Sequence, residues 1–364
     1  MKVLIAGGGT GGHLIPALTL GDELASRRRD IELVYVGATR GIEATLLPAR
    51  GVKHYLLPAE PIYRRTWWKN ARWPLIAWRV LQQSGAIVRD ERPVLAIGTG
   101  GYASGPVLWV AARHGVPLVI QEQNAYPGIV TRWLAGRARQ VHLGFPEAAR
   151  FITPGVRTEV FTLGNPIAPP AQVTDVAAAR ARLGVPAGAP VVLVMGGSQG
   201  ARGINRALAA ALDANLLPGI TVLWSTGQAH WEAYRRYHAL PARQVRGFWD
   251  PIADAYAAAD LVVARSGAMT IAEVCAYGLA SVLIPLPTAA ADHQSANATA
   301  LAAAGAARVL PESALTAGSL AATIRDTLAD AAGLAATRAM ARNRGKPEAT
   351  RDIVTRILSL LPSA

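Results

Sequence analysis

The chain has 364 residues, 51% hydrophobic and 17% charged, with a formal net charge of +13. That length suits two domains with a core each, the composition excludes a disordered chain, and no apolar run approaches the roughly 18 residues of a membrane span. The lone Cys275, in the apolar stretch EVCAYG, excludes a disulfide framework and a thiolate metal cluster, while the positive excess calls for an acidic partner: nucleic acid, anionic lipid or a phosphorylated substrate.

Residues 3–6 (VLIA) predict a strand buried on both faces. The run GGGTGGH follows, and Leu14, Leu18 and Leu24 at helical spacing, with Pro16 in the first turn, predict a helix over residues 14–25. Strand, glycine loop and helix start together are expected to leave free backbone N–H groups at a positive helix end, which suits phosphate. Gly7, Gly9 and Gly12 also satisfy the G-x-G-x-x-G of dinucleotide sites. That reading needs an acidic residue at the tip of the second strand, about 20 residues on. The strand at residues 31–36 runs out into GATRG, and its one acid, Glu32, stands at the wrong end. Arg40 suits a 2′-phosphate, which keeps an NADP-dependent reductase as an alternative.

Residues 63–80 (YRRTWWKNARWPLIAWRV) place Trp67, Trp68, Trp73 and Trp78 among Arg64, Arg65, Lys69, Arg72 and Arg79. Such a segment suits stacking on single-stranded nucleic acid, or a position in a bilayer interface with indoles at headgroup depth. Further strands are expected at residues 94–97, 118–120 and 140–143. After the proline-rich join LGNPIAPPAQVTD they recur at residues 191–194, 221–224, 261–264 and 281–284. Strands alternating with helices predict two doubly wound parallel sheets, with ligands beyond the carboxyl ends of the strands. The domains are therefore set at 1–163 and 164–344, facing a cleft.

The second domain opens with a strand and GGSQG, which also fits the nucleophile elbow G-x-S-x-G. Ser198, Asp260 and His293 then stand in the chain order of a hydrolase triad. Ser198 serves as well as a hydroxyl donor to phosphate. A third loop, ARSGAM, leads into a helix starting near Ala268, with Glu273 in its early turns. Glu273 either complements the helix dipole or accepts two hydrogen bonds from a ribose diol.

Taken together, GGTGGH, GTGGYASGP, QEQNAYPG, GNP, GGSQGA, RSGAMTIAE and DHQSANA fall in one order over nearly the whole chain. In this the chain resembles the MurG family, N-acetylglucosaminyltransferases that convert lipid I to lipid II in peptidoglycan synthesis. The resemblance implies a GT-B fold, UDP-N-acetylglucosamine as donor, and peripheral attachment to the cytoplasmic face of the bacterial membrane, with no nucleic acid bound. It implies that residues 345–364 return to the first domain. The donor site it implies comprises Thr10, Gly11, Gly12, Asn124, Ser198, the backbone at Trp249, the run Ala268, Met269, Thr270, Ile271, Ala272 and Glu273, and Gln294. The acceptor, undecaprenyl-diphosphate-linked muramyl-pentapeptide, would meet His13, Gly100, Gly101, Tyr102 and Glu122, with residues 63–80 against anionic lipid. Two positions depart from the family pattern: Gln121 replaces a histidine, and Ala168 replaces an arginine, for which Arg202 or another basic residue is expected to substitute. No Asp-x-Asp occurs, so no metal or other cofactor is expected, and loop N–H groups must take the charge of the leaving UDP. Inverting transfer needs one base for the acceptor hydroxyl, and His13 is the candidate; the alternative is that His13 caps the helix or binds acceptor phosphate.

Overall fold

A computed structural model describes residues 1–60, 67–170, 175–197 and 200–362. It divides into two compact units, Met1–Ala168 with Glu348–Ala364, and Pro169–Pro347. Each is built on a parallel sheet.

In the first unit, the described strands are β1 (Lys2–Gly7), β2 (Glu32–Ala38), β3 (His54–Leu57), β4 (Leu95–Gly100), β5 (Leu118–Glu122), β6 (Gln140–Leu143) and β7 (Glu159–Phe161). Their order is β3-β2-β1-β4-β5-β6-β7, with every pairing parallel. β1 is central, and Val3, Leu4, Ile5 and Ala6 are wholly buried, which is why it reads as an unbroken apolar run. Helix Gly11–Arg27 covers one face together with the helix Ala349–Leu358. The latter buries Ile353, Val354 and Ile357 in that core. Full burial of three such side chains is worth roughly 5–9 kcal/mol at ~1.5–3 kcal/mol each. Its seat is fixed by Thr350 Oγ1 donating to Ile167 O (2.7 Å), Gln140 Nε2 donating to Arg356 O (3.0 Å) and Arg27 Nη1 donating to Thr355 Oγ1 (2.8 Å).

The second unit holds β8 (Val191–Met195), β9 (Thr221–Ser225), β10 (Arg243–Arg246), β11 (Leu261–Ala264), β12 (Ala280–Leu283) and β13 (Arg308–Val309). They run β10-β9-β8-β11-β12-β13, again all parallel. Two of its helices start where side chains satisfy their first N–H groups: Asp175 Oδ1 accepts from Ala177 N before Val176–Arg182, and Thr316 and Ser319 form a reciprocal capping box before Ala317–Ala329. In both units the loops after the central strands carry the candidate residues.

Candidate active site

Helix Gly11–Arg27 in the first unit starts without a side-chain cap. The preceding glycine loop does not present its N–H groups as the sequence leads one to expect. Gly9 N donates to Glu43 Oε1 (2.8 Å), and Ala38 N donates to the same oxygen (2.8 Å). Glu43 is wholly buried, and its Oε2 has no partner among the described residues. A Cβ at Gly8 would lie 2.3 Å from Glu43 Oε1, and one at Gly37 would lie 2.4 Å from its Cγ. These glycines therefore make room for an internal carboxyl, and the N–H that a phosphate needs at Gly9 is taken. The donors with no described partner move one turn on, to Gly11 N and Gly12 N, while Thr10 O accepts from His13 N and Leu14 N (3.1 Å each).

The GTGGY loop after β4 packs onto the first loop. Gly100 and Gly101 have φ of 95° and 87°, and a Cβ at Gly101 would sit 1.9 Å from Gly8 O. The Tyr102 ring covers Gly9 closely enough that a Cβ there would be 2.7 Å away. His13, half-buried, has Nδ1 3.0 Å from Thr99 O and 3.0 Å from Gln123 Oε1. Glu122 spends its acceptors on its own loop. Oε1 accepts from Asn124 N (3.0 Å) and Nδ2 (3.2 Å), and Oε2 accepts from Gly128 N (2.9 Å) and Thr131 Oγ1 (2.6 Å). It holds the turn into helix Ile129–Leu134 and fixes Asn124 beside it.

The second unit gathers the other candidates at the carboxyl ends of β8, β10, β11 and β12. Ser198 lies outside the described residues. Gly197 and Gly200 on either side have φ of 78° and 72°, and Arg202 is exposed at the start of helix Arg202–Asp213. Trp249 is buried, with the Arg246 guanidinium 4.0 Å from its ring centroid. Helix Ala268–Ala276 begins at Gly267 with no side-chain cap. Met269, Thr270 and Ala272 are half-buried, whereas Ala268 and Ile271 are buried, so Ile271 contributes backbone only to any ligand. Arg265 anchors the loop by donating to Ile284 O (3.2 Å), Pro285 O (3.2 Å) and the Glu312 carboxylate. Gln294 Oε1 accepts from Leu286 N (3.0 Å), and Ser266 Oγ donates to Gln294 O (2.8 Å). Gln294 thus has its Nε2 left as a donor. Tyr256 OH donates to Glu273 Oε2 (2.8 Å). Burial pushes the Glu273 carboxyl above its ordinary value, and the tyrosine hydroxyl only partly offsets this. Its Oε1 makes none of the described hydrogen bonds.

One rival reading fails on geometry, and the residue a second one needs is already paired. Asp260 Oδ2 accepts from Arg180 Nη2 (2.8 Å) and from Val191 N (2.8 Å), at the amino ends of β11 and β8. Ser198 would act at the opposite ends, so a Ser198–Asp260–His293 triad cannot assemble. Arg40, the residue available for a 2′-phosphate, pairs with Glu60 at 3.0 Å. Among the described residues, no three His, Cys, Asp or Glu side chains cluster as metal ligands.

Of residues 63–80, Arg64 and Arg65 lie outside the described residues, as do the side chains of Trp67 and Lys69. Trp68 and Trp78 are each 59% exposed, Arg72 and Arg79 are exposed, and Trp73 is half-buried. A neighbouring surface escaped sequence reasoning. Helix Trp73–Glu91 packs beside Ser104–Arg113, which packs beside Ile129–Leu134. There Ile129 is 72% and Trp133 48% exposed, Trp133 stacks on Trp109 (6.5 Å), and Arg113 lies 5.1 Å from the Trp109 centroid. Glu43, Gln123 and Tyr256 were also missed, since each acts through a partner distant in sequence. No helix among the described residues is long and apolar enough to cross a membrane.

Comparison with known proteins finds one family across both units. Residues 3–143 match the glycosyltransferase family 28 N-terminal domain, and residues 191–357 match its C-terminal domain. A UDP-N-acetylglucosamine–N-acetylmuramyl-(pentapeptide) pyrophosphoryl-undecaprenol N-acetylglucosamine transferase of Moorella thermoacetica is 39% identical, with 100% of each chain covered. The transferase of the same name from Halorhodospira halophila is 40% identical over 97% of this chain and 96% of its own. The crystal structure of Acinetobacter baumannii MurG is similar at a TM-score of 0.78 and 28% identity, covering 98% of this chain and 99% of that one.

Proposed function

The chain belongs to glycosyltransferase family 28, and we infer that it transfers N-acetylglucosamine from UDP-N-acetylglucosamine to the muramyl C4 hydroxyl of lipid I, giving lipid II. The observation that carries this reading is identity over the full length to transferases of that name. The fold is GT-B, two parallel-sheet α/β domains.

In this reading the second unit takes the donor. Backbone at Trp249 reads uracil, Glu273 accepts from the ribose diol, and Gln294 Nε2 donates to the sugar. The uncapped start of helix Ala268–Ala276, with Thr270 and Ser198, receives the diphosphate. Glycosyl transfer breaks the bond between C1 and the phosphate oxygen, and UDP departs with the electron pair. Fixed N–H dipoles stabilise that charge without reorganising. In the first unit His13 takes the proton of the C4 hydroxyl as its oxygen bonds C1 from the opposite face, which inverts the anomeric centre. Gly11 and Gly12 offer N–H groups, and Gly100, Gly101 and Tyr102 shape the acceptor's seat.

A lipid-anchored acceptor calls for attachment to the bilayer at its cytoplasmic face. Residues 61–89 carry six cations and no acidic residue, and Trp68, Leu75 and Trp78 stand exposed among them. Ile129 and Trp133 extend the apolar part. Each Lys or Arg near anionic lipid contributes about 1 kcal/mol, to which the indoles add interfacial anchoring. The test is direct. Protein incubated with labelled UDP-N-acetylglucosamine and a short-chain lipid I analogue should yield a lipid-linked disaccharide; release of free sugar alone would refute the transfer.

A further inference from the structure

A chain of buried carboxamides stands behind His13, and its hydrogen bonds have only one consistent direction. Gln123 Nε2 lies 2.8 Å from Thr99 O and 3.0 Å from Gln121 O, and it also touches Gln121 Oε1. Thr99 O and Gln121 O are backbone carbonyls, which only accept. Were the Gln123 amide reversed, its oxygen would face both of them, so the NH₂ end must point there and Oε1 must point at His13 Nδ1. Gln121 is fixed in the same way: its Nε2 donates to Asn165 Oδ1 (3.0 Å) and Glu122 O (3.3 Å), which leaves its Oε1 for Gln123. Asn165 Nδ2 then donates to Gln123 O (3.0 Å). Gln121, Gln123, Asn165 and Thr99 are all buried, so water does not compete for these bonds.

The consequence falls on the imidazole. Both partners of His13 Nδ1, Thr99 O and Gln123 Oε1, are acceptors, so Nδ1 carries a hydrogen. Nε2 makes none of the described hydrogen bonds. We propose that Gln123, itself aligned by Gln121 and Asn165, is a positioning residue that holds His13 as the Nδ1–H tautomer and so makes Nε2 the atom that receives the acceptor proton. The proposal rests on the transferase reading only for what the proton comes from. As C4–O bonds to C1 and UDP leaves, the hydroxyl proton passes to Nε2; the imidazolium then donates through Nδ1–H to Gln123 Oε1 and Thr99 O until Nε2 returns the proton to solvent. Gln121 stands where the family pattern has a histidine, and a carboxamide there keeps a fixed donor and a fixed acceptor.

The tautomer can be read without turnover. In the intact protein labelled with ¹⁵N-histidine, the His13 ring signals, identified by their loss in His13→Gln, should show a protonated Nδ1 and an unprotonated Nε2. An Nε2–H tautomer would overturn the proposal. Gln123→Leu and Gln121→Leu, checked for folding by thermal melts, should lower kcat by about 10–100-fold, as loss of an orienting partner commonly does, and leave KM for UDP-N-acetylglucosamine unchanged. In Gln123→Leu, where Thr99 O is the one described acceptor left at Nδ1, the share of the Nε2–H tautomer should rise. Unchanged kcat in both folded variants, or a loss confined to KM, would also overturn it. If no disaccharide forms although the ring is Nδ1–H, the transferase reading fails and the tautomer assignment stands. If the ring is Nε2–H and disaccharide still forms, the tautomer assignment fails and the transferase reading stands.

Discussion

Replacing Glu273 by Gln should act on binding and on stability in opposite directions. In the folded unit the carboxyl is desolvated, and its one described partner is the Tyr256 hydroxyl at 2.8 Å. If its other oxygen and charge hold the ribose diol, the amide forfeits a charge-assisted hydrogen bond worth ~1.5–3 kcal/mol. That corresponds to UDP binding roughly 10–150-fold weaker, since 1.4 kcal/mol is about tenfold. Stability goes the other way. The folded-state value is raised above that of the unfolded chain, so between the two the folded state holds more protons. Stability is therefore lost as pH rises through that window, and above it the folded protein carries the cost of the ionised group. The neutral amide of Glu273→Gln would carry no such cost. Titration calorimetry with UDP and thermal melts without it, from acid to neutral pH, read the two effects separately. The expected variant binds UDP more weakly, melts no lower than wild type at neutral pH, and lacks wild type's decline above the ordinary glutamate range. Unchanged UDP affinity in the folded variant would refute the ribose role, and a melt lowered by several degrees at neutral pH would refute the desolvation argument.

Glu43→Ala should leave the buried N–H of Ala38 without an acceptor, at ~1–3 kcal/mol, and cost less at the half-buried Gly9, whereas Glu43→Gln keeps an acceptor for both; an alanine variant melting like wild type would show that the carboxyl does not hold the loop. Transfer should persist in EDTA, because helix starts and loop N–H groups take the diphosphate charge; complete loss restored by Mg²⁺ or Mn²⁺ would mean the site works otherwise. Trp68→Ser and Trp78→Ser combined with Arg72→Gln and Arg79→Gln should abolish flotation with anionic vesicles while sparing a short-chain acceptor. Continued flotation would move the attachment elsewhere.

The strands that sequence reasoning found are the ones buried on both faces, and β3, β7, β10 and β13, which it passed over, are the four sheet edges. HYLL, EVF, RQVR and RV are short or polar because an edge is covered on fewer sides, so hydrophobic runs cannot mark them. The two-domain α/β plan was legible for the complementary reason. At the site, glycine loops and a carboxylate early in a helix leave local signals, and these single out Glu273 as a candidate. Gln123 meets His13 across 110 residues, and Glu43 meets Gly9 across 34, which no local pattern records. The first loop shows the limit of a motif: its glycines suit a phosphate oxygen, and the oxygen that arrives at Gly9 belongs to the chain's own Glu43.

The helix Ala349–Leu358 closes the core of a unit whose other strands and helices precede it by a whole domain. On a ribosome, the 179 residues from Pro169 to Pro347 are made in between. At ~5–20 residues per second that takes roughly 10–40 s, during which the helix Gly11–Arg27 shows the nascent chain's surroundings an apolar face with nothing yet to cover it. The second unit, contiguous in sequence, is free to fold as it emerges. The unit read first is thus completed last, and a chaperone that shields exposed apolar surface has its longest opportunity at the half of the protein that carries His13.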